Sequence, residues 1–400
     1  MRPAPRAVVP LILLGVAACG GSRPGAGPGV VEPMRSPLAV AVPYLDSMVD
    51  IGAAPGAVLG VSWRGRHYFH AHGVLGMADS TRPDSTTVYD MASLTKVIGL
   101  TTAVAMGVEE GMIDLDAPVH SYVPAFAGDG KSVVTIRQLL THSSGMPAWR
   151  PLYEYATDRA DAMAMADTTP LDTTPGTNYE YSDLGAIVLT QVVETVYGER
   201  LDHLLARRVF QPLGLGDTRF LPDSTWLPRI APTENDPWRG RIVRGEVHDE
   251  NASRMGGVSG HAGLFSSARD LLRFGDWLLE AWHGEPGSGW IWPAPPTALR
   301  KFTRKQDIPE GSSRGLGWDT PSQGSSAGRR LSRQSFGHTG FTGTSIWIDP
   351  TRDLVIVLLS NRVHPTRENS RWNPVRRNVA NRVVSALEDR HPEPSGSPAR

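Results

Sequence analysis

Segments with the pattern of β-strands lie near the two ends of this 400-residue chain, and the segments between them have the pattern of helices. Each pair of strand segments flanks a short polar turn and therefore predicts a hairpin, at 57–63 with 67–72 and at 344–348 with 354–359. One antiparallel sheet assembled from both chain ends, flanked by helices, accommodates both hairpins. The expected fold class is therefore α/β of the α+β type, with an inserted helical lobe at about 110–225 and a site in the cleft between them.

The apolar periodicity also predicts individual helices. They are expected at 38–51, 134–141, 160–166, 184–197, 201–210 and 373–387.

A serine and a lysine three residues apart stand at the start of a further predicted helix. Ser93 and Lys96 share one helical face, and residues 97–108 after them are apolar on nearly every face, as in an interior helix that Gly111 would cap. A serine hydroxyl is a weak nucleophile until a base takes its proton, and a partly desolvated lysine can be that base. The pair is a candidate for nucleophilic catalysis, and the alternative is a surface serine near a surface lysine.

Two later segments offer a second proton carrier and a substrate-binding strand. Tyr181 and Asp183 lead into the helix predicted from residue 184, where a phenol can point into a cleft, although a packed core tyrosine is the alternative. His338, Thr339 and Gly340 precede a strand, where glycine lets the backbone approach a ligand closely. The alternative for this second segment is a glycine-rich turn.

The order of the three segments resembles that of the penicillin-recognising serine hydrolases. This superfamily includes class C β-lactamases, low-molecular-weight D-alanyl-D-alanine carboxypeptidases and esterases of the β-lactamase fold. The likeness covers about residues 38–388, and further segments share it, at 90–92, 111–119, 135–145, 247–252, 260–265 and 315–318. Segments 247–252 and 260–265 are most similar to a subgroup related to a weak penicillin-binding D-Ala-D-Ala carboxypeptidase.

The resemblance implies a role for each motif residue. Ser93 is implied to be the acylated nucleophile, with Lys96 and Tyr181 sharing the acid and base work. The backbone N–H groups of Ser93 and Phe341 would donate to the oxyanion of the tetrahedral intermediate. Thr339, with His338 and the adjoining Gly340, would bind the substrate carboxylate.

Two motif positions depart from the family pattern. The second motif usually ends in asparagine but here ends in Asp183, and the third often begins with lysine but here begins with His338. An ionised Asp183 would stabilise the ammonium form of Lys96, so we hypothesise that Tyr181, as a phenolate supported by Lys96, is the working base. Since histidine titrates near neutrality, the binding of a carboxylate by His338 is expected to weaken as the pH rises through the pKa of its ring.

The N-terminal residues have the pattern of an exported lipoprotein. Basic Arg2 and Arg6 precede an apolar run at 8–16 that is too short to span a bilayer, and residues 16–19 match a bacterial lipobox ending at the only cysteine, Cys19. We therefore expect a signal peptide at 1–18 and a lipid on Cys19 that anchors the protein to a membrane of the cell envelope. An ordinary signal peptide with an incidental cysteine is the alternative.

The remaining sequence completes the expected domain organisation. A flexible tether rich in Gly, Pro and Ser is expected at 19–37, the hydrolase domain at 38–388 and a disordered tail at 389–400. With Cys19 lipidated, no cysteine remains for a disulfide, so the fold must depend on its core.

Composition and missing motifs exclude several function classes. A net charge of −1 without a Lys/Arg-rich run gives no support for nucleic-acid binding. The sequence has no His-Glu-x-x-His and no phosphate-binding loop, and it has no Gly-x-Ser-x-Gly elbow between a strand and a helix. Metal sites at His67, His70 and His72, or at 248–250, are weak candidates, and for His248, Asp249 and Glu250 a substrate-facing or loop-ordering role is preferred. No cofactor or metal is expected.

The sequence leaves the substrate open. An envelope location favours a D-Ala-D-Ala peptide derived from peptidoglycan or a β-lactam, an ester is a close alternative, and a slowly turning over penicillin or muropeptide sensor is a further one. The sequence gives no indication of the oligomeric state.

Overall fold

The computed structural model describes residues 36–284 and 296–388. The predicted signal peptide, Cys19, nearly all of the tether and the tail lie outside these residues, and so does most of a loop expected at 284–296.

Ten strands and eleven α-helices make up the described structure. The strands are β1 (Gly56–Trp63), β2 (Arg66–Gly73), β3 (Val88–Asp90), β4 (Arg219–Phe220), β5 (Asn235–Asp236), β6 (Arg241–Ile242), β7 (Leu264–Ser267), β8 (Phe336–Thr339), β9 (Ser345–Asp349) and β10 (Leu354–Ser360). The helices are α1 (Val42–Asp50), α2 (Thr102–Glu109), α3 (Ile136–Leu140), α4 (Leu152–Tyr155), α5 (Arg159–Thr168), α6 (Asp183–Tyr197), α7 (Leu201–Leu205), α8 (Glu250–Arg254), α9 (Ala268–His283), α10 (Pro296–Thr303) and α11 (Asn373–Glu388). Two π-helical segments, Lys96–Thr101 and Ala206–Phe210, and three short 3-10 helices, Val119–Ser121, Lys131–Val133 and Ser224–Arg229, complete the list.

The main sheet joins the two ends of the chain, as the hairpins predict. Its strand order is β2-β1-β10-β9-β8, and the paired strands are antiparallel. Strand β1 lies beside β10 with Gly60 opposite Val357, so the N-terminal and C-terminal hairpins share the centre of the sheet. The predicted α+β fold class is confirmed.

Alternate residues of the central strands enter two different cores. Leu59, Val61 and Leu358 pack with α1 and α11 on one face of the sheet. Val58 and Val357 point to the other face and join the larger core, which includes α2, α6 and α9. Successive side chains of a strand point in opposite directions, so they reach both faces of the sheet. Both faces are buried because each one packs against helices.

The predicted helices are confirmed, with differences at their ends. The helix after Ser93 begins as the π-helical segment Lys96–Thr101 and continues as α2, and the predicted helix at 201–210 is likewise divided into α7 and a π-helical segment. Apolar periodicity cannot distinguish the wider π-helical turn from an α-helical turn. Gly111 follows α2 with φ of +70°, a left-handed conformation that suits glycine after a helix end.

Two smaller sheets were not predicted. Strands β3, β7 and β4 form one, and it matters for the site because β3 ends just before Ser93.

No helix within 36–284 or 296–388 combines the length and the apolar character needed to cross a membrane.

Candidate active site

The turn that carries Ser93 is held in a strained conformation. Ala92 has φ of +45°, a left-handed conformation that is costly for a residue with a Cβ. The Asp90 carboxylate accepts a hydrogen bond from the Ala92 N–H at 2.7 Å, and the Met91 N–H donates to the Leu264 carbonyl of β7 at 2.9 Å. These bonds fix Ser93, which is half-buried, at the start of the helix.

Lys96 is the centre of a polar cluster in a buried position. Its ammonium lies 3.0 Å from Ser93 Oγ, 3.1 Å from the His261 carbonyl oxygen and 2.6 Å from Asp183 Oδ1. Only 3% of the residue is exposed. Burial alone would lower the pKa of Lys96, but the Asp183 carboxylate and the Tyr181 phenol outweigh it and raise that pKa above its usual value. Lys96 is therefore an ammonium at neutral pH.

Tyr181 lies above this cluster, on the segment that enters α6. The Lys96 ammonium is 4.9 Å from the centre of its ring. Ser182 caps the helix by accepting from the Gly185 N–H at 3.0 Å, and the Asp183 N–H donates to the Ala148 carbonyl at 2.8 Å. The phenol oxygen is buried and has no hydrogen-bond partner among the described residues, so it is available to a group that enters the cleft.

His142 supports Tyr181 from below and was missed by the sequence analysis. Its Nδ1 accepts from the Ser182 N–H at 3.1 Å, and its ring centre is 4.5 Å from that of Tyr181. Burial, Arg314 and Lys96 hold the pKa of His142 well below its usual range, so the ring is neutral. The residue stands in a left-handed conformation, with φ of +56°, which a sequence pattern does not reveal.

The end of β8 lies against the turn that carries Ser93. The Thr342 hydroxyl donates to the Asp90 carbonyl at 2.7 Å, and the Thr344 hydroxyl donates to the Met91 carbonyl at 3.2 Å. The backbone N–H groups of Ser93 and Phe341 donate no hydrogen bond within the described ranges. The structure thus leaves free the two donors that the resemblance assigns to an oxyanion hole.

Two arginines donate hydrogen bonds to the backbone just after β8, and the sequence analysis did not identify either of them. Arg376, on α11, donates to the Gly340 carbonyl at 2.6 Å, and Arg362 donates to the Phe341 carbonyl at 2.9 Å. Arg362 also lies 4.6 Å from the centre of the Phe341 ring. Burial and the charge of Arg362 lower the pKa of Arg376 to about 9. These contacts orient the Phe341 N–H, because both carbonyls that flank it are fixed.

We expect Gly340→Ala to impair both activity and stability. A Cβ at Gly340 would overlap the Met91 carbonyl oxygen and the Thr344 hydroxyl. Overpacking of this kind typically costs about 1–3 kcal/mol, and here it would also displace Phe341 from Ser93. The variant should melt several degrees lower and lose roughly tenfold or more in kcat. Gly216→Ala is the control because a Cβ there meets open space, and equal kcat in the two variants would contradict the prediction.

The expectation for His338 is corrected by its burial. His338 Nδ1 lies 2.8 Å from the Thr339 carbonyl, an acceptor, so Nδ1 carries the proton. Burial, Arg314 and Lys96 hold the pKa of this ring well below its usual range, so the ring is neutral and its Nε2 is an acceptor. Nε2 is buried without a partner among the described residues. In this neutral form His338 presents an acceptor at Nε2 rather than a donor, which disagrees with the expected titration near neutrality.

Arg314 is a further charged residue of the site that the motifs did not indicate. Its guanidinium lies 5.4 Å from the centre of the Tyr181 ring and donates to the Tyr179 hydroxyl at 3.0 Å. The Asp319 carboxylate lies 3.9 Å from Arg314 Nε. Arg314 and Lys96 thus place two cations beside the Tyr181 phenol, and they keep the neighbouring histidines neutral.

The other histidine candidates pair with carboxylates. His67 lies 2.5 Å from Asp276, while His70 and His72 reach Asp46 and Asp50 at 2.6 and 2.7 Å. These carboxylates belong to α1 and α9, which come from elsewhere in the chain. Across 36–284 and 296–388, no three His, Cys, Asp or Glu side chains are grouped so as to hold a metal ion.

The family model described as "Beta-lactamase" matches residues 44–381, which is most of the chain. The chain belongs to the β-lactamase family. It is a hydrolase of the β-lactamase fold, and the predicted resemblance is confirmed.

Several relatives of this β-lactamase-family chain are known. A protein of Salmonella schwarzengrund named "Putative D-alanyl-D-alanine carboxypeptidase" is 34% identical over 329 residues, which cover 74% of each chain. The solved structure of EstCE1, "a hydrolase with promiscuous acyltransferase activity", matches with a TM-score of 0.69 at 21% identity, covering 87% of this chain and 98% of EstCE1. A class C β-lactamase from Rhodobacter sphaeroides matches with a TM-score of 0.66 at 22% identity, covering 87% and 99%. The two solved structures show the shared fold alone.

Proposed function

We propose that this chain is a D-Ala-D-Ala carboxypeptidase that works through an acyl-enzyme on Ser93. The observation that carries the proposal is the buried contact of Ser93 Oγ with Lys96, which is itself paired with Asp183 at 2.6 Å. The name of the Salmonella relative supports a D-Ala-D-Ala peptide as the substrate. The lipoprotein pattern ending at Cys19 supports a substrate in the cell envelope, where peptidoglycan is built.

The contacts of Lys96 support Tyr181 as the base that activates Ser93. The Lys96 ammonium donates hydrogen bonds to Ser93 Oγ and to the His261 carbonyl, and it forms an ion pair with Asp183. Lys96 therefore donates to the nucleophile and cannot also take its proton. Tyr181, whose ring centre lies 4.9 Å from the Lys96 ammonium and 5.4 Å from the Arg314 guanidinium, is the base that remains.

Acylation and deacylation then follow from this arrangement. Tyr181 takes the proton of Ser93 as Oγ bonds to the scissile carbonyl, and the Ser93 and Phe341 N–H groups stabilise the oxyanion. Tyr181 returns the proton to the departing amine of D-alanine as the C–N bond breaks. Water then attacks the ester on Ser93, its proton passes to Tyr181 and on to Oγ, and the shortened peptide leaves.

Three parallel assays test the proposed substrate. Release of D-alanine from Nα,Nε-diacetyl-L-Lys-D-Ala-D-Ala is expected, with higher kcat/KM than hydrolysis of nitrocefin or a p-nitrophenyl ester. Faster turnover of nitrocefin would support a β-lactamase instead, and faster turnover of the ester alone would support an esterase. A fluorescent penicillin that stays bound for hours without product would support a sensor.

We expect Asp183→Asn to move the alkaline limb of the pH–rate profile to lower pH. The carboxylate raises the pKa of Lys96, so removing its charge lowers that pKa, and the supporting ammonium is lost at lower pH. The measurement is kcat/KM between pH 6 and 11, where the variant should lose activity at a lower pH than the wild type. An alkaline limb at the same pH in both proteins would show that Asp183 and Lys96 are not coupled.

A further inference from the structure

A chain of three polar side chains, Ser259, His261 and Asp249, leads to the wall of the active site. Ser259 Oγ lies 2.7 Å from His261 Nδ1, and His261 Nε2 lies 2.8 Å from Asp249 Oδ1. Ser259 and His261 are fully buried, whereas the Asp249 side chain is 22% exposed. The mechanism above uses none of these three side chains.

The hydrogen bonds fix the position of this chain. Within the described ranges, the Ser259 hydroxyl has His261 Nδ1 as its side-chain partner, and the other ring nitrogen, Nε2, contacts Asp249 Oδ1. The Asp249 carboxylate is thus held by a histidine whose ring is itself held by a buried serine.

One oxygen of Asp249 is left for a ligand. Oδ1 accepts both from His261 and from the Ala252 N–H, the latter at 2.8 Å. Oδ2 accepts from no described residue and is not fully buried. A fixed carboxylate with one accessible oxygen is a preorganised acceptor for a cation.

The position of Asp249 links this oxygen to the reaction centre. The carbonyl of His261 accepts from Lys96, and the His248 N–H donates to the same Asp90 carboxylate that holds the turn before Ser93, at 2.6 Å. The His248 ring stacks on Phe341 with ring centres 5.8 Å apart. The segment 248–249 therefore contacts both the turn before Ser93 and the ring of Phe341.

We propose that Asp249 Oδ2 binds a protonated amino group of the peptide substrate, a specificity that refines the proposed carboxypeptidase function and rests on it. The substrate class is thus an aminoacyl-D-Ala-D-Ala peptide that carries a free amine. The ion pair is a charge-assisted hydrogen bond, which contributes on the order of tenfold or more to binding.

The same carboxylate is a poor candidate for the base that activates the deacylating water. Burial alone would raise the pKa of Asp249, but the His261 ring, the Ala252 N–H and the Lys96 ammonium hold it well below its usual range. A carboxylate of such low basicity takes a proton from water inefficiently, whereas it stays anionic for binding.

Matched peptides test the proposal. The wild type should hydrolyse Nα-acetyl-L-Lys-D-Ala-D-Ala or its Nε-acetyl isomer with about tenfold higher kcat/KM than the diacetyl peptide, mainly through KM. Asp249→Asn, whose amide oxygen can still accept from His261 and Ala252, should abolish this preference. Asp129→Asn removes the same charge at an exposed position and should keep it. Equal kcat/KM for acetylated and free peptides in the wild type, or an unchanged ratio in Asp249→Asn, would overturn the proposal.

A pair of esters separates failure of this inference from failure of the carboxypeptidase function. If no peptide is hydrolysed, the proposed function fails, and the comparison moves to p-nitrophenyl 6-aminohexanoate and its N-acetyl derivative. A preference for the free amine that depends on Asp249 would then support the inference alone. Equal rates for the two esters would overturn the inference as well.

Discussion

Ser93→Ala should lower kcat/KM for every hydrolysed substrate by on the order of 10⁴-fold or more. The nucleophile forms the covalent intermediate, so no acyl-enzyme can form without its hydroxyl. The fold should be unaffected, because Ser93 is half-buried and the turn before it is held by Asp90 and β7. The measurement is steady-state hydrolysis, together with the melting temperature.

The loss of activity in Ser93→Ala must be distinguished from a general effect of losing a hydroxyl. Ser121→Ala serves as the control, since this serine is exposed on a short 3-10 helix. The control should retain wild-type kcat/KM. A Ser93→Ala enzyme within tenfold of the wild type would show that another group is the nucleophile.

Lys96→Met should lower kcat by about 10³-fold while KM changes little, because the lysine acts on the reacting atoms. Methionine has nearly the same length but removes the donor to Ser93 Oγ and one of the two cations beside Tyr181. The substitution also leaves Asp183 without its partner, which costs stability because that carboxylate is largely buried. The measurements are kcat, KM and the melting temperature.

A double variant separates the catalytic effect of Lys96 from its effect on stability. Lys96→Met with Asp183→Asn removes both charges, so the melting temperature should recover toward that of the wild type. The activity should stay low, because the ammonium is still absent. Recovery of kcat together with stability would mean that Lys96 serves the fold rather than the chemistry.

The hairpins and helices could be predicted because their signals are local. The strand segments are bounded by polar turns, and their pairing across the chain follows from the need to bury both faces of β1 and β10. The order of Ser93, Tyr181 and His338 along the chain indicates the family from the sequence alone. The contacts of Lys96 with Ser93 and Asp183 agree with that prediction, whereas the catalytic roles stay proposals.

The supporting residues could not be predicted because their roles arise from contacts distant in sequence. Arg376 reaches Gly340 from α11, and Arg314 reaches Tyr181 across more than a hundred residues. None of these arginines belongs to a motif. The titration of His338 was predicted wrongly for the same reason, because its burial beside two cations cannot be read from the local sequence.

The central claim, acylation of Ser93, is tested most directly by intact-protein mass spectrometry after incubation with benzylpenicillin. We predict that the wild type gains the mass of one penicilloyl group and that peptide mapping places it on Ser93. Ser93→Ala should gain no mass, while Ser121→Ala should be labelled like the wild type. Stoichiometric labelling of Ser93→Ala, or a label mapped to another residue, would contradict the account.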